Sequence, residues 1–79
     1  MNDKELQSIK DAFAAVLRQK RTALGMSQEE LGFRAGIAMR YVSLLETGKR
    51  QPTLSTLAAI SQALGMKLSE FVLEIEDRR

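Results

Sequence analysis

The chain has 79 residues, 12 of them basic and 10 acidic, a formal net charge of +2, and neither Cys nor His. That length limits it to a single domain, residues 1–79, near the lower edge of independent stability. The missing residue types exclude disulfide staples, thiolate and imidazole metal sites, and catalysis by Cys or His.

Leu6, Ile9, Phe13, Val16 and Leu17 form one apolar stripe at helical spacing, in a segment rich in Ala, Lys, Gln and Arg. They predict a first helix over residues 3–23, with Gly25 at its C-terminal cap. Ser27-Gln28-Glu29-Glu30 matches a capping box, in which the Ser27 hydroxyl accepts the Glu30 amide and the Glu30 carboxylate reaches back. This starts a second helix over residues 28–35, closed by Gly36, with Met26 placed to staple against Leu31. A third helix over residues 38–47 has Val42 and Leu45 on its core face, with Ala38 and Tyr41 beside them, and stops at Gly48. Pro52 turns Gln51 away from helix, and Thr53 caps a fourth helix over residues 54–64 with Leu54, Leu57, Ile60 and Leu64 apolar. The fifth, over residues 68–76, carries Leu68, Phe71, Val72 and Ile75 at i, i+3, i+4 and i+7, and Asp77-Arg78-Arg79 is expected to fray. The fold class is therefore all-α.

Charge is uneven along this layout. Residues 18–50 hold Arg18, Lys20, Arg21, Arg34, Arg40, Lys49 and Arg50 against Glu29, Glu30 and Glu46, a net +4, whereas residues 51–66 hold no charge. A basic middle is either ordinary solvated surface or a footprint for a polyanion. Glu29 and Glu30 are adjacent and point apart on a helix, and Ser27 has no suitable base, so no catalytic pair is present. No apolar run reaches the about 18 residues of a membrane span. The polar start Met1-Asn2-Asp3-Lys4-Glu5 is no signal peptide. The expectation is a cytoplasmic protein, not an enzyme, with no membrane, metal or cofactor.

The second and third helices are short and are joined by Ala35-Gly36-Ile37, the spacing of a helix-turn-helix. If Val42 and Leu45 point inward, Met39, Arg40, Ser43 and Leu44 share the opposite edge of the third helix. That edge suits the major groove of DNA, which is wide enough to admit one helix. Arg40 is the candidate for a bidentate contact to guanine, and Met39 and Leu44 for thymine methyls; core packing on a rotated helix is the alternative for those two. Gln28 lies in the first turn of the second helix, where free amides favour an anion. Lys49 and Arg50 follow Gly48 and can close on flanking backbone. Tyr41 borders the core face; it serves packing, or its hydroxyl reaches a phosphate.

The full run from Arg21 to Leu31, through Ala35-Gly36-Ile37, Tyr41-Val42-Ser43 and Glu46-Thr47-Gly48-Lys49-Arg50-Gln51-Pro52, to Leu57-Ala58-Ala59-Ile60-Ser61-Gln62-Ala63-Leu64-Gly65, closely resembles the Cro/repressor-type (Xre-like) helix-turn-helix family. The resemblance spans about residues 13–75. It implies a compact five-helix, repressor-like domain that binds duplex DNA, as a homodimer on a palindromic operator, and regulates transcription by blocking or recruiting RNA polymerase. It also implies a phosphate contact for Gln28 and a salt bridge between Arg21 and Glu46 that locks the third helix to the first. Ala38 departs from the family's hydroxyl cap, Gly32 from its usual Ala, and Met39 and Leu44 make the reading edge less polar. Phe71, Val72 and Ile75 either cover the first helix or meet a second copy. The competing reading is a protein-interaction module, such as an antitoxin that also binds a toxin protein, with the Met39/Leu44 edge and the fifth helix meeting protein.

Overall fold

The computed structural model of the chain describes Met1–Arg79 and contains five helices and no strand: α1 (Asp3–Ala23), α2 (Gln28–Ala35), α3 (Met39–Glu46), α4 (Leu54–Ala63) and α5 (Leu68–Arg78). α1, α2 and α4 each begin at a side-chain cap. Asn2 accepts the Glu5 amide at 2.8 Å while the Asn2 amide donates to the Glu5 carboxylate at 3.3 Å, a reciprocal cap that the apolar pattern does not announce. The Ser27 hydroxyl accepts the Glu30 N–H at 3.0 Å, and the Thr53 hydroxyl accepts the Thr56 N–H at 3.1 Å. Ala38 caps α3 with no side-chain bond, as its methyl group dictates.

Only half of the expected Ser27/Glu30 box forms. The Glu30 carboxylate accepts Arg34 Nε at 3.0 Å and Arg34 Nη2 at 2.9 Å instead of returning to Ser27. A charged donor one turn along is a stronger partner than a neutral amide that water can satisfy.

The core is one cluster. Leu17, Leu31, Val42, Leu45, Ile60 and Phe71 are fully buried in it, and the rings of Phe13 and Phe71 meet edge-to-face with centroids 6.2 Å apart. Met26 and Leu31 both belong to it, as the staple requires. α1 packs on α3 and α5, α2 packs on α3 and α4, and α4 packs on α5. The angle between α2 and α3 depends on Gly32. A Cβ there would lie 2.6 Å from the Ile37 carbonyl oxygen, so the turn rests directly on the glycine.

Several expectations are corrected. Leu6 is exposed and Leu54 is 73% exposed, because the first turns of α1 and α4 project past the core. Ala38 and Thr47 cap α3 rather than belonging to it, and Leu64 caps α4. The C-terminus does not fray at Asp77. α5 continues to Arg78, held on α1 by Lys20 to Glu74 at 2.7 Å and by Arg78 Nη1 donating to Gln19 Oε1 at 3.5 Å. Phe71 and Ile75 are buried within the chain, because α5 lays them on the shared core, and only an edge of Ile75 reaches a surface groove; Val72 keeps 37%. No helix is long and apolar enough to cross a membrane.

Candidate nucleic-acid interface

With Val42 and Leu45 fully buried, the rotation of α3 is fixed, and its outer edge is what remains. Met39 is 52% exposed, Arg40 is exposed, and Ser43 and Leu44 are half-buried. Met39 is therefore not a core residue on a rotated helix. Arg40 makes no ion pair or side-chain hydrogen bond within the chain, so its five N–H donors are free.

The turn after α3 is built on one carbonyl. The Leu44 oxygen accepts the Lys49 N–H at 2.9 Å and the Arg50 N–H at 3.2 Å, with Gly48 at φ 76° in between. Glycine takes that left-handed conformation without a Cβ clash. The closure satisfies orphan α3 carbonyls and holds Lys49 and Arg50 against the end of α3, both exposed. Tyr41 is half-buried with its ring against the core, and its hydroxyl donates to the Gln51 carbonyl at a long 3.4 Å. The ring serves packing, and the hydroxyl is only weakly held.

Behind this edge lies a buried polar cluster joining three helices. Arg21 Nε donates to Glu46 Oε2 at 2.6 Å, Arg21 Nη2 to Glu46 Oε1 at 2.9 Å, and Arg21 Nη1 to the Met26 carbonyl at 2.7 Å. The Glu46 side chain is only 3% exposed. Hydrogen bonding to Glu46 pushes the Arg21 guanidinium pKa up against the burial that pulls it down, so Arg21 stays charged. Gln28, the first residue of α2, also joins: its Nε2 donates to Glu46 Oε1 at 3.2 Å. The sequence brings Gln28 to the helix start but gives no sign of this bond.

Ion pairing sorts the cations of the basic middle. Lys20, Arg21 and Arg34 are bound to Glu74, Glu46 and Glu30, whereas Arg18, Arg40, Lys49 and Arg50 have no acidic partner. Arg18 was not singled out by the sequence pattern. It is exposed on α1 and lines a shallow groove with Thr47 and Gly48, beside the Lys49 turn. Its charge one turn before Arg21 is visible in the sequence, whereas its lack of an acidic partner is not. Phe33 also went unnoticed; it stands 84% exposed on α2, and nothing in the chain covers it.

A second surface feature is apolar. Ile9, Phe13, Pro52, Leu57, Val72 and Ile75 line a groove where α1, α4 and α5 meet the turn before α4. No group of three or more acidic, His or Cys side chains gathers where it could hold a metal ion.

A family model described as helix-turn-helix matches residues 17–71. An HTH-type transcriptional regulator, y4dJ, from Sinorhizobium fredii is 40% identical over 65 residues, covering 82% of this chain and 79% of that one. Among solved structures, the clp gene regulator ClgR from Corynebacterium glutamicum superposes with a TM-score of 0.81 at 28% identity, covering 87% of this chain and 73% of that one. The restriction-modification controller protein C.AhdI from Aeromonas hydrophila superposes with a TM-score of 0.75 at 35% identity, covering 78% of this chain and 94% of that one.

Proposed function

This chain belongs to the Xre/Cro-like helix-turn-helix family of DNA-binding transcriptional regulators, and on that premise we propose that it is a sequence-specific repressor that binds a palindromic operator as a homodimer, with α3 in the major groove. The observation that carries this reading is the free, unpaired Arg40 on the exposed edge of α3, flanked by unpaired Lys49 and Arg50. Arg40 reads guanine through two parallel N–H bonds, Met39 and Leu44 touch thymine methyls, and Ser43 adapts to either edge. Gln28, Arg18, Lys49 and Arg50 take backbone phosphates, and the weakly held Tyr41 hydroxyl swings from Gln51 to another. The second copy docks at the apolar groove bounded by Pro52, Leu57 and Val72, on the side of the chain whose residues 51–66 carry no charge. A two-fold pair then sets its reading helices about 34 Å apart, one turn of DNA. Bound there, the dimer denies the site to RNA polymerase.

An antitoxin-like module that also grips a toxin protein is the second reading, favoured by the exposed Phe33. Such an apolar contact would survive high salt, whereas phosphate contacts would not.

Selection of bound sites from random duplexes, for the wild type and for Arg40→Ala, tests the proposal. The expected result is an enriched palindrome in which Arg40→Ala relaxes one symmetric position per half-site, with a loss of about 1–3 kcal/mol of discrimination there. A uniform loss across all sequences would make Arg40 a phosphate contact. No enrichment by the wild type would rule out sequence-specific binding.

A further inference from the structure

The buried carboxylate of Glu46 does more than hold Arg21. Its Oε1 accepts both Arg21 Nη2 and Gln28 Nε2, at 2.9 and 3.2 Å. A glutamine amide has two Nε2 hydrogens, so with one fixed on Glu46 the other has a single direction left. Gln28 itself is only half-buried and opens the first turn of α2. An untethered Gln must lose its rotamer freedom when DNA arrives, whereas a tethered one has already lost it. Glu46 is the last residue of α3, and Gln28 the first of α2. One carboxylate therefore links the helix that carries the base-reading edge to the side chain assigned to the DNA backbone. Arg21 completes the device. Without its charge, a bare carboxylate beside the duplex would repel phosphate.

We propose that Glu46 is a positioning residue for DNA binding: through the Gln28 amide it presets one phosphate contact in register with the base contacts of α3. This rests on the DNA-binding reading above. A merely structural ion pair would stabilise the fold without singling out any phosphate.

The test uses operator duplexes in which one phosphate at a time is replaced by an uncharged methylphosphonate. For the wild type, the position facing Gln28 should lose about tenfold in affinity, the scale of one hydrogen bond to a charged group, and Gln28→Ala should abolish that sensitivity. In Glu46→Leu, which leaves Gln28 Nε2 no acceptor, the same position should lose most of its sensitivity while the other positions keep theirs. Retention of the full effect in Glu46→Leu, or an equal fall at every position, would overturn the proposal. So would duplex binding in which no position responds to Gln28→Ala, and that outcome would leave DNA binding itself intact. Absence of any duplex binding by the wild type would instead sink the reading beneath it. If Glu46→Leu does not fold, the wild-type side-chain amides decide. One Gln28 Nε2 hydrogen should exchange with solvent more slowly than those of the exposed Gln51, and equal rates would overturn the assignment.

Discussion

Gly32 sits where α2 and the α2–α3 turn come closest. Beside the Ile37 oxygen, an added Cβ would also meet Met39 N at 3.3 Å, and the Ile37 N–H already donates to the Gly32 carbonyl at 2.9 Å. All of these neighbours are backbone, so none can swing aside. Gly32→Ala would gain about 1 kcal/mol of helix propensity and lose about 1–3 kcal/mol to overpacking. The net expectation is a lower urea midpoint together with weaker operator binding, because the displaced turn carries the start of α3. A raised midpoint would show that the turn has slack. From the sequence, Gly32 reads as a propensity cost that permits close contact. The distance that makes it necessary depends on two segments meeting in space. The same limit hides the bond from Gln28 to Glu46, partners 18 residues apart. Residue types at Arg40, Lys49 and Arg50 are legible at once, but which cations are already spent on carboxylates is not.

Among the helices, the start of α2 separates a cap from an ion pair. Ser27→Ala removes the acceptor of the Glu30 N–H and should cost about 1 kcal/mol of unfolding free energy. Glu30→Gln leaves that cap intact and weakens only an exposed i,i+4 pair with Arg34, worth about 0.3–0.5 kcal/mol. Denaturation midpoints should therefore fall further for Ser27→Ala; the reverse order would mean that the carboxylate contributes through the cap after all. Helix positions were legible because the apolar period and the caps at Ser27 and Thr53 agree with each other. Helix ends were less so. Asp77 and Arg78 lie beyond the last apolar position, Ile75, so periodicity falls silent while contacts with α1 keep the helix going. Leu54 fits the α4 stripe on paper, yet a residue in a first turn can overhang the core it appears to face.

For the whole molecule, the proposed pairing of two copies turns on the groove between α1, α4 and α5. Val72 is the rim residue to change, because Phe71 and Ile75 are core and their loss would unfold the protomer. Val72→Glu should leave the helical content and thermal midpoint of the protomer almost unchanged. It should yield a monomer by sedimentation at concentrations where the wild type is a dimer. A dimeric Val72→Glu would move the interface elsewhere. The five-helix order and the outward-facing edge of α3 could be read from spacing and from the family resemblance. The groove could not, since it combines residues from three helices and a turn, and the apolar stripe of α5 looks the same whether it faces inward or outward.

Equilibrium binding of the intact protein to its selected operator duplex, repeated across salt concentrations, addresses the central claim most directly. Arg18, Lys49 and Arg50, unpaired within the chain, would neutralise phosphates, so log affinity should fall linearly with log salt at a slope of about −3 per protomer. A flat line, or no attraction for the duplex even in dilute buffer, would contradict a helix held in the major groove by basic flanks.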